Sequence, residues 1–293
     1  VADIDMRLLR IDVLRRLGSV ARADNELSAL QSYLASQENA AAEQVAQAHR
    51  QRALLFYREG ETARAARAIG LALDLEDALR PALRAQIRND NALIQQRAGD
   101  LRAAIEGFDA AADLATDDEL RAIYTINRAR AMLDDGRVED ALVTARRSGE
   151  VLDQLVDGNA IRARIALASL YRKAVNEFDA DAQYRLAALQ QLQRAGQGPG
   201  VAPRTRSLLN GHTAELYADD RQYEGAVNYA QRALQYARQV EVDGLEYRWQ
   251  WVLARSQGAL GNTSASLEAY ASAVASLRTL RSNLESLDPE TFD

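Results

Sequence analysis

A spaced phrase recurs along this chain about every forty residues: a turn-forming position, Ala five residues on, a bulky apolar residue nine on and a small residue twelve on. It reads Gly60-Ala65-Ile69-Ala72, Gly99-Ala104-Phe108-Ala111, Gly136-Ala141-Ala145-Ser148, Arg221-Ala226-Tyr229/Ala230-Ala233 and Gly261-Ser266-Tyr270-Ala273. Self-similarity at this period is the signature of stacked repeats, each burying its apolar face against its neighbours. A chain built this way presents surfaces along its length, which directs the search for function toward binding.

Composition supports helices. Of the 293 residues, 47% are hydrophobic, mostly Ala and Leu, and only 6% are aromatic, a mixture suited to helices that approach closely. The four prolines, at 81, 199, 203 and 289, all fall between periodic segments. The sequence therefore predicts one all-α domain over 1–293, with repeats one to five in 1–195. A Gly/Pro-rich joint follows over 196–206, then repeats six and seven and a C-terminal helix over 207–293.

Each repeat predicts two helices joined at the turn position. In the second, Ala46, His49, Ala53 and Phe56 recur at three- and four-residue spacing before Gly60, and Glu61-Thr62 opens the partner helix. Small residues at Ala53 and Ala65 let the pair pack as an antiparallel hairpin. The same offsets run through Ala92, Gly99 and Ala104, then Ala129, Gly136 and Ala141, with Ala214 and Ala254 in the sixth and seventh. The first repeat carries Gly18, Ala23, Leu27 and Leu30 as a weaker version. The fifth, over 159–195, has no turn glycine, and its turn is expected near Asn176-Glu177.

Several chemistries are excluded. Without cysteine there is no disulfide, thiolate nucleophile or Cys-ligated metal. A formal charge of −6 argues against nucleic acid and anionic membrane surfaces as partners. Lys173, the sole lysine, has no preceding glycine and so makes no GxxxxGK phosphate loop. No HExxH, GxSxG or Cys-His pattern occurs. Gly196-x-Gly198-x-Gly200 contains Pro199 and follows a helical segment, whereas a dinucleotide fingerprint follows a strand. The acidic pairs Asp117-Asp118, Asp134-Asp135 and Asp219-Asp220 sit at helix ends and read as turn and cap residues. His49 reads as a packed ring and His212 as a lone histidine without a partner Cys or His, so no catalytic residue, metal or cofactor is expected. No apolar run reaches the roughly 20 residues needed to span a bilayer, so a soluble chain is expected, with its compartment left open.

The recurring offsets resemble the tetratricopeptide repeat, over nearly the whole chain, although the period of about forty residues exceeds that family's roughly 34. The resemblance implies a right-handed α-solenoid of about seven antiparallel hairpins and a non-enzymatic scaffold that holds a protein or peptide in its concave groove. Mapping the family's groove positions gives Arg50, Gln51, Tyr57 and Arg58, then Asn89, Gln96 and Arg97, Asn127 and Arg130, and finally Trp251 and Arg255. Arginine and asparagine clamp backbone and carboxylate, and an aromatic ring stacks on an anchor side chain. Trp249, two residues from Trp251, faces elsewhere and is expected between repeats. The family's two-carboxylate clamp is not reproduced, since Leu54 stands where Asn is needed and Asp90 carries the wrong charge. The scaffold reading includes the sensor or docking part of a larger bacterial effector. As an alternative, the stretch from Tyr270 to Leu284 and on through Asp288-Pro289-Glu290-Thr291-Phe292 resembles the junction that precedes a CHAT domain, which implies the regulatory repeat half of a caspase-like cysteine protease whose catalytic domain would lie beyond residue 293. Self-association through the open ends of the array is a further alternative.

Overall fold

In the computed structural model, residues 2–17, 19–37, 39–155, 160–197, 201–240 and 245–285 are described. They form fourteen α-helices and no strand. Two compact units divide the described residues, 2–137 and 138–283. The first unit holds α1 (Ala2–Leu17) with α2 (Val20–Ala35), α3 (Ala42–Glu59) with α4 (Thr62–Leu73), α5 (Pro81–Ala98) with α6 (Leu101–Asp113), and α7 (Asp118–Asp134). The second holds α8 (Val138–Asp153), α9 (Ile161–Phe178) with α10 (Gln183–Gly196), α11 (Pro203–Asp219) with α12 (Tyr223–Ala237), and α13 (Glu246–Ala259) with α14 (Thr263–Glu285). The unit boundary falls in the turn of the fourth repeat, between α7 and α8.

The recurring glycine closes the first helix of a repeat. Gly60, Gly99, Gly136 and Gly261 have φ between 76° and 87°, the left-handed region that a Cβ disfavours. The amide after each glycine donates to a carbonyl five residues back: Glu61 to Phe56 at 2.9 Å, Asp100 to Gln95 at 3.0 Å, Arg137 to Met132 at 2.9 Å and Asn262 to Gln257 at 3.0 Å. This Schellman closure satisfies carbonyls that a helix end would otherwise leave unpaired. In the sixth repeat Arg221 takes the same role without being glycine, at φ 59°, and Gln222 N donates to Tyr217 O at 2.9 Å.

The Ala five residues after the turn lies in the first full turn of the second helix, and its amide already donates to the cap carbonyl, as Ala65 does to Glu61 at 2.9 Å. Ala53, Ala65, Ala92, Ala104, Ala214, Ala226 and Ala254 are all fully buried, so the paired helices cross at methyl-group separation. Ser266 replaces Ala in the last hairpin, and its hydroxyl finds a partner across that hairpin, donating to Ala254 O at 2.9 Å. The contact is closer still at Gly211 in α11, where an added Cβ would lie 2.3 Å from the Trp249 ring of α13. The indole is fully buried there, its Nε1 donating to Ser207 Oγ at 3.1 Å while that hydroxyl donates to Ala233 O at 2.9 Å.

Two sequence expectations shift. The turn of the fifth repeat lies at 179–182, and Asn176 and Glu177 belong to α9. Asp179 supplies the left-handed residue there, at φ 54°, a conformation a short polar side chain tolerates better than most. In the joint, α10 extends to Gly196 and α11 begins at Pro203; Gly198, Pro199 and Gly200 lie outside the described residues, as does Gly18.

Replacing Gly99 by Ala puts a Cβ in the left-handed region and is expected to destabilise by about 1 kcal/mol. Gly211→Ala forces the Trp249 ring to move and is expected to cost about 1–3 kcal/mol. Urea unfolding followed by circular dichroism measures both.

Candidate functional site

The first helices of successive hairpins lie side by side within each unit, α1, α3 and α5 in one and α9, α11 and α13 in the other. Polar residues on the neighbouring flanks therefore meet across the seam. In the first unit Arg50 Nε donates to Asp90 Oδ2 at 2.6 Å, and Asn89 Nδ2 to Asp90 Oδ1 at 3.1 Å. Asn127 Nδ2 donates to Asn89 Oδ1 at 3.0 Å, and Arg130 to Asn127 Oδ1 at 3.4 Å. These four bonds run unbroken from α3 through α5 to α7. At the other edge Arg15 Nε donates to Gln51 Oε1 at 3.1 Å and pairs with Asp12.

This network corrects part of the sequence reading. Gln51, Asn89 and Asn127, expected in an open groove, are buried, at 6%, 9% and 8% exposure, and hold neighbouring helices together. The midline of a first helix is shared with the helices on both sides, so a polar group there is satisfied within the protein. Arg58 and Arg97 occupy equivalent positions before Gly60 and Gly99 and reach back to main-chain carbonyls of the preceding first helix, Arg15 O and Tyr57 O. Arg97 also stacks on the Tyr57 ring, 4.8 Å from its centroid. Gln96 Nε2 donates to Asp134 Oδ2 at 2.6 Å. Burial lowers the pKa of Arg130, with Asp134 and Tyr57 acting in the opposite direction. Asp90 proves to be the ion-pair partner of Arg50, a pairing between adjacent repeats.

The second unit holds a cleft of about 380 Å³ on its first-helix face. Arg172 of α9, Glu215, Ala218 and Asp219 of α11, Tyr247, Arg248, Trp251, Val252 and Arg255 of α13 and Leu277 of α14 line it. Trp251 and Arg255, singled out from the sequence, both lie in it, one turn apart. Trp251 is 51% exposed and packs edge-on against Tyr270, with ring centroids 5.1 Å apart. Arg255 is exposed and has no ion-pair partner among the described residues.

Glu215, buried at 7% exposure, organises the floor of this cleft. It accepts hydrogen bonds from Arg172 at 3.1 Å, from Arg248 Nε and NH2 at 3.0 Å each, and pairs with His212 Nδ1 at 3.2 Å. Burial alone would raise its pKa, but the His212 hydrogen bond and the charges of Arg172 and Arg248 override it and hold the carboxyl at about 2. Asp219 accepts from Arg172 Nε at 2.5 Å and from Asn176 at 2.7 Å. Burial opposes the Arg172 charge, yet these two carboxylates raise its pKa on balance. Asp219 is thus an ion-pairing residue and not the turn residue its position suggested. The signal for this network was an α11 stripe, His212, Glu215 and Asp219, beside Arg248 and Arg255 on α13; the missing glycine in repeat five kept Arg172 out of register with it.

His49 is half-buried, and burial followed by the nearby Arg52 charge lowers its pKa. Among the described residues no group of His and acidic side chains could hold a metal ion, and no helix is long and apolar enough to cross a membrane.

No family model and no curated protein matches this sequence. Solved structures do match. The apo form of RapI aligns over 96% of this chain and 99% of its own, with a TM-score of 0.58 at 12% identity. The tetratricopeptide-like repeats of a Podosopora anserina putative kinesin light chain align over 69% and 98%, with a TM-score of 0.55 at 17% identity. The fold is a tetratricopeptide-like helical-repeat solenoid. A third such solenoid, the Rap conjugation gene regulator of plasmid pLS20 in complex with the Phr* peptide, aligns over 98% of this chain and 77% of its own, with a TM-score of 0.59 at 13% identity. At these identities the likeness concerns fold. Within this solenoid, Tyr270–Leu284 of the CHAT-like stretch is part of α14, and Asp288–Phe292 lies outside the described residues.

Because the pKa of Glu215 lies below the roughly 4.3 of an unfolded glutamate, its network stabilises the fold above that pH and loses this contribution as pH falls toward 2. Glu215→Gln is expected to lower stability by about 2–3 kcal/mol near neutrality, with the difference from the parent closing between about pH 4.5 and pH 2. Urea titrations of both proteins across that range measure it.

Proposed function

We propose that this chain is a protein- or peptide-binding scaffold and that the α9–α11–α13 cleft of its second unit is a principal contact site. The observation that carries this reading is the pairing of an exposed aromatic ring, Trp251, with an unpaired cation, Arg255, on one face of α13, beside a floor already rigidified around Glu215. An anchor held by packing, as Trp251 is against Tyr270, loses little entropy on binding. Tryptophan and arginine are also the residue types that most often dominate interface energetics.

The chemistry suits an apolar side chain of the ligand seated among Trp251, Val252 and Leu277, with an adjacent acidic group or carboxylate toward Arg255. Two structures of similar fold support the reading by what they are described as holding: a Rap protein complexed with Competence and Sporulation Factor, and the pLS20 regulator with the Phr* peptide. On the first-helix face of the other unit, Arg58 and Arg97 are exposed cations, and they extend the same reading there. Arg50, Tyr57, Gln96 and Arg130 contribute at its edge while Gln51, Asn89 and Asn127 support them from within. Arg97 and Arg130 both hold helices together, so changing them would mix binding with stability. Trp251 and Arg255 offer the cleaner test.

Trp251→Ala and Arg255→Glu, each on an exposed side chain, are expected to weaken a captured ligand peptide by about tenfold or more. Helicity and melting should stay close to the parent. Selection of peptides from a random display library against the whole chain, followed by calorimetry on both variants, measures this; peptides that bind both variants as tightly as the parent would count against the cleft.

A further inference from the structure

We propose a second docking site, on the opposite type of helix: a trough between α2 and α4, floored by α3, that receives an acidic amphipathic helix. The cleft has a volume of about 550 Å³ and lies wholly within the first unit. Its floor is a stripe of α3, Val45, Ala48 and Phe56, and its walls are Leu34 on α2 and Ala68 and Leu71 on α4. From Val45 to Phe56 the floor runs about 16 Å, roughly three helical turns. Leu71 is 50% exposed at its edge, so apolar surface remains in water. A trough between two helices, lined by side chains at three- and four-residue spacing, is the complement of the ridge on a third helix.

Charge selects the occupant. Arg52 is engaged with Asp24, Gln31 and Ser28, and Arg64 with Glu61. Arg64 nevertheless lies over the Phe56 ring, 3.9 Å from its centroid, which holds a cation at the floor of the trough. Arg67, exposed on the α4 wall, has no ion-pair partner among the described residues. Burial, and then Arg52, push the His49 pKa down, so that ring lines the trough as a neutral group. The balance favours acidic residues flanking an apolar stripe on the partner.

Repetition itself marks the site as a departure. Aligned on Gly60 and Gly99, Val45 corresponds to Arg84, Phe56 to Gln95, Arg67 to Glu106 and Leu71 to Ala110. In that next repeat Arg84 and Arg88 close onto Glu76 of the single 3₁₀ turn, Glu76–Ala78. Ala48 and Phe56 also pack against the core, but the exposed α4 pair Arg67 and Leu71 is not repeated in the next hairpin, where Glu106 and Ala110 stand. Where a repeat diverges without a packing reason, its surface is free to specify a partner.

The test is a displayed library of helix-stapled peptides of about 13 residues, with varied aliphatic and aromatic residues at one helical stripe and either Glu/Asp or Lys/Arg on the flanks. It is panned on the whole chain and counter-selected on the Arg67→Glu/Leu71→Asp double variant, both changes being on exposed side chains of α4. Expected is enrichment of acidic-flanked peptides that lose about tenfold or more in affinity on the double variant. Those peptides should bind Trp251→Ala unchanged, which separates this site from the α13 cleft. Arg67→Glu alone should shift selection toward basic flanks. Failure to enrich over the double variant, selection of neutral or basic flanks by the parent, or occupation of the trough by dodecanoate with no peptide enriched would each overturn the proposal.

Discussion

The structure depends on one backbone constraint, a single left-handed residue that ends the first helix of a repeat and turns the chain back after two or three residues. With φ near 80° at Gly60, Gly99, Gly136 and Gly261, the closing hydrogen bonds recur in the same pattern, and the second helix starts in a fixed register relative to the first. That register buries Ala53 with Ala65 and Ala92 with Ala104 in the cores of their hairpins. Arg221 and Asp179 show that the conformation matters more than the residue, since both adopt it with a side chain attached. Close crossing, in turn, leaves the outer flanks of the first helices to meet their neighbours.

Polar residues on those flanks then serve two ends. In the first unit the chain from Arg50 through Asp90, Asn89 and Asn127 to Arg130 is satisfied internally, and an unmade bond in such a network would cost more than a made one contributes. In the second unit the same kind of network, centred on Glu215, stops short of Trp251 and Arg255, which remain available. Rigid polar packing below and an open aromatic and cation above are what the proposed contact site draws on. The trough over α3 shows a different arrangement, with an apolar floor on which Arg64 lies over Phe56 and with Arg67 exposed on the α4 wall.

Much of this was legible from residue spacing. The period, the turn glycines and the small crossing residues are local demands on the backbone, so the hairpins of repeats one, two, three, six and seven followed directly from them. The fifth turn was misplaced because Asp179, a residue of no distinctive spacing, does the work of glycine. Trp249 and Trp251 were correctly set apart, one buried against Gly211 and one exposed, because residues two apart on a helix face different ways.

By itself the sequence determined the repeat, the helical class and the list of polar and aromatic side chains on the first helices, since each follows from periodicity and backbone stereochemistry. Only the tertiary structure decided which of those side chains are spent on holding helices together. Asn89 and Asn127 look alike in sequence to any exposed groove residue, but their partners lie nearly forty residues apart. Glu215 becomes an organising carboxylate only once Arg172 and Arg248 are brought to it from neighbouring helices. Such pairings join side chains of different repeats, and residue type at one position does not reveal which side chain of the next repeat will meet it.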